Sequence, residues 1–236
     1  MASLIVRYTF LMNAYEIEIK SLIGTKERAN ELREKLQHID PNTKLISHKK
    51  QLNHYFVGGD IEKLYELLLS KLSRNDQERF KQIVGKGSNF SVRTRKTEDK
   101  LLFVVKASLD EGTSHNTVSR LELEVEVTDM TLEALDLLIQ KAGFSYQAKW
   151  SREREEYICK DVTVCLDRNA GYGYLAEFEK VVHDESAIEK TRQELETFMQ
   201  SAGFEALPQD RLERMFAYYN THWPEYYGTE KIFTIH

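Results

Sequence analysis

The stretch SRLELEVEV (residues 119–127) alternates ionised and apolar side chains without interruption. Successive side chains of a β-strand point to opposite faces of the sheet, so this pattern predicts a strand with leucine and valine on one face. The other face would carry Arg120, Glu122, Glu124 and Glu126. One face of an antiparallel sheet is commonly wet, so this strand alone does not distinguish a solvated surface from a binding site.

Five further segments show the same alternation and predict strands of the same kind. They are YEIEIK (15–20), NFSVRTRK (89–96), LLFVVKA (101–107), VTVCLDR (162–168) and GYLAEFE (173–179). Residues 44–57 and 146–158 also favour strands, and the second of these is charged on both faces. The sequence therefore predicts about eight strands, most of them with one ionised face.

Helical patterns occupy the connections between these strands. An amphipathic helix is predicted to open at Thr25 and to stop before Pro41, and another is predicted to end at Gly143. Two short helical stretches within residues 60–84 are expected to form an insertion that packs outside the sheet. Residues 184–202 and 208–220 are predicted to be helical, and the tail 222–236 is left unassigned.

Composition limits the classes of function. The chain has 236 residues, which we expect to form a single domain because strand signals run from end to end. Its net charge of −5 favours neither nucleic acid nor an acidic membrane as a partner. Cys159 and Cys165 lack metal-ligand spacing and are expected to be reduced thiols in a cytoplasmic protein. The apolar run at residues 4–12 is interrupted by Arg7 and is expected to be a strand.

Two architectures are compatible with this patterning. Helices at the connections suit an α+β fold in which a closed eight-stranded antiparallel β-barrel has peripheral helices and an ionised interior. An open sheet with its charged face in water needs fewer assumptions, and patterning alone favours it.

A resemblance to a known family changes this balance. The motif Glu16-x-Glu18-x-Lys20 is similar to the signature strand of the CYTH superfamily, the triphosphate tunnel metalloenzymes, and LNHYF (52–56) is similar to its second-strand motif. The remaining family positions follow in order as Arg93 and Arg95, Lys106, Arg120 with Glu122 and Glu124, Arg154 followed by Tyr157, Asp167, a GYG turn (171–173), and Glu177 with Glu179.

The resemblance covers roughly residues 14–181, with the insertion at about 60–84 and the C-terminal helices at about 184–236. It implies a closed barrel, the triphosphate tunnel, that binds a triphosphate together with a divalent metal. Two positions depart from the family pattern: Asn53 stands where many members have aspartate, and Arg152 stands where lysine is expected.

The ionised residues divide by chemistry. Guanidinium groups bind phosphate oxygens through forked contacts and lysine supplies a compact charge, so the basic set is predicted to hold the substrate. This set is Lys20, Arg93, Arg95, Lys106, Arg120, Arg152 and Arg154. Two carboxylates about 4 Å apart repel by about 4 kcal/mol at an effective dielectric constant near 20, so the acidic set predicts bound cations, and its oxygen ligands suit Mg²⁺ or Mn²⁺.

The predicted metal ligands are led by three glutamates, Glu16, Glu18 and Glu179. The others either share a second ion or orient water, and they are Glu122, Glu124, Asp167 and Glu177. Lys20, Arg154 and Asp167 are the predicted catalytic residues.

These predictions favour a metal-dependent hydrolase of inorganic triphosphate, thiamine triphosphate or a nucleoside triphosphate, in which a metal-activated water attacks the terminal phosphorus. The alternative is a class IV type adenylate cyclase that makes cyclic AMP and pyrophosphate from ATP. A third hypothesis is a non-catalytic sensor of polyphosphate or nucleotide. The expected partner is a small-molecule triphosphate, and the sequence leaves a homodimer open.

Overall fold

One antiparallel sheet is the frame of the molecule. The computed structural model describes residues 15–108 and 120–234, so predictions for residues 4–14 and 235–236 lie outside the described part. The strands are β1 (Tyr15–Gly24), β2 (Lys44–Gly58), β3 (Ser88–Lys96), β4 (Leu101–Ser108), β5 (Arg120–Glu126), β6 (Phe144–Cys159), β7 (Val162–Asn169) and β8 (Gly173–Val182).

Six α-helices are found in the same residues. They are α1 (Lys26–Ile39), α2 (Ile61–Leu68), α3 (Arg74–Lys86), α4 (Leu132–Lys141), α5 (Ile188–Ser201) and α6 (Gln209–Tyr226). Helix α1 begins as predicted, because the hydroxyl of Thr25 accepts a hydrogen bond from the backbone N–H of Arg28. No helix among the described residues combines the length and the apolar character that crossing a bilayer requires.

The strands are joined in the order β1-β8-β7-β6-β2-β3-β4-β5, and every neighbouring pair is antiparallel. The α+β class and the eight antiparallel strands are therefore confirmed. The closed barrel is not confirmed, because no ladder joins β1 to β5 in the described residues.

Both outer edges of the sheet are met by other segments. The backbone N–H of Leu207, between α5 and α6, donates to the carbonyl oxygen of Lys20 at 2.7 Å on the edge of β1. On β5, the Arg79 guanidinium of α3 donates to the carbonyl oxygen of Glu122 at 3.2 Å. These backbone acceptors are thus engaged without a strand-to-strand closure.

Helices cover one face of the sheet through two apolar clusters. Helices α1 and α5 pack on β1, β7 and β8, where Leu32, Leu195 and Phe178 are fully buried. Helices α2, α3 and α4 pack on β3, β4 and β5 around Phe80 and Phe103. The predicted insertion therefore packs outside the sheet, as expected, and the ionised residues are left on the opposite face.

Helix α6 and the tail pack at one end of the sheet. The ring of Tyr219 stacks on Trp150 with centroids 3.6 Å apart, and its hydroxyl donates to the carbonyl oxygen of Lys149 at 2.8 Å. The tail, left unassigned from the sequence, forms a parallel bridge between Ile232 and Gly171. Gly171 has φ +89°, and a Cβ there would lie 2.7 Å from the Tyr219 ring, so this turn requires glycine.

Candidate functional site

Ionised side chains from seven strands share the sheet face that α1 to α5 leave uncovered, and we call it the charged face. It carries Glu18, Lys20, Arg93, Arg95, Lys106, Glu122, Glu124, Arg152, Arg154, Asp167, Glu177 and Glu179, which the register places on one side of the sheet. The sequence alternation predicted this grouping. Glu16 and Arg120 belong to β1 and β5, but their side chains lie outside the described part of the structure.

The signature strand β1 lies directly against β8. Glu18 is the register partner of Glu179, and Lys20 is the partner of Glu177. Lys20 forms ion pairs with Glu18 on its own strand and with Glu177 at 3.4 Å. The predicted lysine is thus held between two of the predicted carboxylates.

A buried cluster around Arg154 forms the most enclosed part of the charged face. Its Nε donates to Asp167 at 2.7 Å, and its Nη2 donates to Asp167 at 2.6 Å and to Glu177 at 2.5 Å. Arg152 donates to the same aspartate at 3.0 Å. The Asp167 side chain is only 1% exposed, and both of its oxygens are occupied by arginines.

Opposite charges keep this cluster ionised. Burial alone would raise the pKa of Glu177, but Arg154 and Lys20 hold that pKa well below its ordinary value. Burial would likewise lower the pKa of Arg154, but Glu177 and Asp167 raise it well above its ordinary value. Both groups are therefore charged at neutral pH.

The basic residues of β3 and β4 form ion pairs with glutamates of β5 that are more exposed than the cluster around Arg154. Arg95 donates from Nη1 to Glu124 at 3.0 Å, and Lys106 lies 3.0 Å from Glu122. The side chains of these two glutamates are 38% and 37% exposed, so this side of the charged face is open to solvent. Burial and the nearby charge of Arg152 lower the pKa of Arg95, which indicates that cations are crowded here.

Uncharged residues of β2 contact the arginines. From the sequence, Asn53 was named only as a departure from the family pattern, and Gln51 was not named. The side-chain oxygen of Gln51 accepts a hydrogen bond from Arg152 Nε at 2.8 Å, and that of Asn53 accepts one from Arg95 Nε at 2.8 Å. The Arg93 guanidinium lies over the Tyr55 ring, 4.4 Å from its centroid. The signal for Gln51 was its alternation with Asn53 and Tyr55 in β2, a pattern that carries no charge.

The carboxylates suit a divalent metal by their chemistry but do not converge on one in this arrangement. Glu18 and Glu179 offer hard oxygen donors on adjacent strands, as Mg²⁺ and Mn²⁺ prefer. No group of three metal-ligating side chains is assembled among the described residues. The reason is that Glu177 and Asp167 are held by arginines and Glu18 is paired with Lys20.

Two histidines of β2 have carboxylate partners. Exposed His48 lies 2.7 Å from Glu153, and buried His54 lies 2.6 Å from Asp136. Both cysteines are free, as expected. Cys165 lies on the charged face, and burial raises the pKa of its thiol far above the ordinary value.

Comparisons with known proteins agree with this geometry. The CYTH domain model matches residues 83–211, more than half of the chain. The fold is similar to that of a candidate adenylate cyclase from Vibrio parahaemolyticus, with a TM-score of 0.56 and 13% identity over 86% of this chain and 98% of that one. A conserved hypothetical protein from Pyrococcus furiosus is similar with a TM-score of 0.55 and 20% identity, over 83% of this chain and 93% of that one.

A protein from Pyrococcus horikoshii OT3 gives a TM-score of 0.55 and 21% identity, over 82% of this chain and 93% of that one. At such identities the likeness of these structures concerns the fold alone. No curated protein matches the sequence. The family model, together with the signature strand opposite Glu177 and Glu179, establishes that the chain belongs to the CYTH domain family.

Proposed function

We propose that this protein is a divalent-metal-dependent hydrolase that releases orthophosphate from a triphosphate substrate. The observation that carries the proposal is the charged face, where guanidinium groups from β3 and β6 lie on the same side of one sheet as the glutamates of β1 and β8. A pure anion-binding surface gains nothing from so many carboxylates. A phosphate chain bound together with a cation requires both signs.

The arginines are suited to hold the phosphate chain. Arginine carries five N–H donors in a planar fork, and Arg95 directs Nε to Asn53 and Nη1 to Glu124. Its remaining donors would bind phosphate oxygens, together with those of Arg93 and Arg152. Arg154 is fixed by Asp167 and Glu177, so it would present a rigid charge to the group being transferred.

We assign Asp167 to holding Arg152 and Arg154, because its two oxygens accept three hydrogen bonds from them. The role of Asp167 as a metal ligand remains a prediction. Lys20 would contribute a compact charge beside the phosphate chain, next to Glu18 and Glu177.

Glu18 and Glu179 would hold the metal, with Glu16, Glu122, Glu124 and Glu177 as the other candidates. A bound Mg²⁺ or Mn²⁺ would neutralise charge on the phosphate oxygens and lower the pKa of a bound water. Glu18 on β1 and Glu122 on β5 lie on the two edge strands, so a closed tunnel would bring predicted metal ligands of both edges together. We therefore include the closed tunnel in this proposal, as the form adopted with metal and substrate.

The test is product analysis of the purified protein with Mg²⁺ or Mn²⁺. Inorganic triphosphate, thiamine triphosphate and ATP are supplied separately, and Glu18→Gln is compared with Glu34→Gln, a matched change at an exposed position of helix α1. Orthophosphate release that Glu18→Gln abolishes and Glu34→Gln preserves is the expected result, and the best substrate names the activity. Formation of cyclic AMP and pyrophosphate from ATP would show that the protein is a cyclase and not a hydrolase. Ligand binding without any product would show that it is a sensor.

A further inference from the structure

Two amide side chains of β2 each hold one arginine of the charged face. Gln51 and Asn53 lie between the basic strands β3 and β6, and each accepts a hydrogen bond at 2.8 Å from the Nε of its arginine. Both amides are enclosed, with Gln51 8% and Asn53 1% exposed. The two contacts are chemically identical, although one arginine comes from β6 and the other from β3.

We propose that Gln51 and Asn53 are positioning residues for the phosphate-binding arginines, and that the amide nitrogen of Asn53 also donates a hydrogen bond to a phosphate oxygen of the bound chain. This inference rests on the proposed triphosphate function and specifies how the anion is recognised.

The orientation of the Asn53 amide follows from the chemistry of its neighbour. Arginine only donates hydrogen bonds, so the atom that faces Arg95 Nε must be the amide oxygen. The amide nitrogen is thereby fixed on the other branch of the side chain. This nitrogen is buried and has no hydrogen-bond partner within the described residues. A buried donor of this kind is costly unless a ligand satisfies it, and an oxyanion held by Arg95 would do so.

These acceptors are uncharged, and this affects how strongly the arginines bind an anion. A carboxylate would fix the arginine equally well, as Asp167 does for Arg154, but it would also cancel part of the positive charge and repel the phosphate chain. Arg95 and Arg152 each already pair with one carboxylate through Nη1, and an amide at Nε fixes the side chain without adding a second negative charge. Arg154 is thus held by two carboxylates, whereas Arg95 and Arg152 are each held by one amide and one carboxylate.

The test changes the charge of the two acceptors through two nearly isosteric substitutions, and it also removes the N–H donor of Asn53. In Asn53→Asp and Gln51→Glu the oxygen that accepts the arginine hydrogen bond remains, but a negative charge is added. The matched control is Asn30→Asp, because the Asn30 side-chain oxygen accepts a hydrogen bond from Arg33 at 2.7 Å at an exposed position of helix α1. Binding of inorganic tripolyphosphate is measured by isothermal titration calorimetry, in EDTA and again with Mg²⁺, and each variant's melting temperature is recorded.

We expect Asn53→Asp and Gln51→Glu each to weaken tripolyphosphate binding by at least about tenfold, with melting temperatures equal to or above that of the wild type. Asn30→Asp should stay within about twofold of wild-type affinity. Wild-type affinity in both test variants overturns the inference and leaves the proposed function standing. If one variant does not fold, the other decides. If the wild-type protein binds tripolyphosphate neither in EDTA nor with Mg²⁺, the proposed function is overturned, and this inference with it.

Discussion

Replacement of Asp167 by asparagine should strongly destabilise the fold. The Asp167 carboxylate accepts three hydrogen bonds, one from Arg152 and two from Arg154, and its side chain is 1% exposed. The two arginine side chains are 13% and 12% exposed, so solvent replaces little of what is lost. Asparagine would keep one acceptor oxygen but place an N–H₂ group against guanidinium donors.

The magnitude follows from this geometry. Removing one partner of a buried ion pair costs about 3–5 kcal/mol because the other charge is left uncompensated. Glu177 still accepts from Arg154 in the variant, so we expect the lower end, about 3 kcal/mol in the free energy of unfolding. In a urea titration this corresponds to a midpoint lowered by roughly 1 M with an unchanged slope.

The matched control is Asp161→Asn. Asp161 accepts from Lys180 at 2.6 Å, but its side chain is 73% exposed. An exposed pair contributes about 1 kcal/mol or less, so this variant should unfold close to the wild-type midpoint. If Asp167→Asn lowers the free energy of unfolding by no more than Asp161→Asn does, the buried cluster around Arg154 does not stabilise the fold as argued here.

Changes at three further positions, Glu177, Gly171 and Tyr219, should also alter stability. Glu177→Gln should weaken the dependence of the free energy of unfolding on acid pH, as measured by urea unfolding. Because the pKa of Glu177 is lowered in the folded state, the ionised carboxylate stabilises the wild-type fold above about pH 4.3. This stabilisation is lost as the pH falls below that value, and the variant lacks it at every pH. Gly171→Ala should lower the melting temperature more than Gly203→Ala, because both residues have positive φ but only at Gly171 would the new Cβ meet a ring. Tyr219→Phe should lower the free energy of unfolding by about 1 kcal/mol, because one hydrogen bond to a backbone carbonyl is lost. Tyr219→Leu should lower it further and change the tryptophan fluorescence, because the ring stacked on Trp150 is removed.

Strand alternation was sufficient to predict the sheet and to group most of the charged face, because period-two patterning depends only on neighbouring residues in the chain. It did not resolve β6, which is charged on both faces. The structure explains this pattern through a distant partner: Glu155 on the helix-covered face accepts a bidentate contact from Arg33 of α1, with both distances at 2.9 Å.

Other features depended on contacts that no local pattern reports. The amides of Gln51 and Asn53 carry no charge, so only their position between two arginine-bearing strands identifies them. Closure of the sheet depends on which groups reach its edges, and neither Leu207 nor Arg79 belongs to a strand. The end of α6 at Tyr226 was also missed, because the helix continues past Pro224.

The hydrogen bond from Leu207 to Lys20 has a consequence for self-association. An exposed strand edge is a template on which a second chain can add its own strand, and proteins commonly block such edges. The segment that follows α5 occupies the carbonyl oxygen of Lys20 and so covers the edge of the strand that bears the signature motif. Loss of this segment would free the carbonyl oxygen of Lys20 to accept a hydrogen bond from a strand of another copy of the chain.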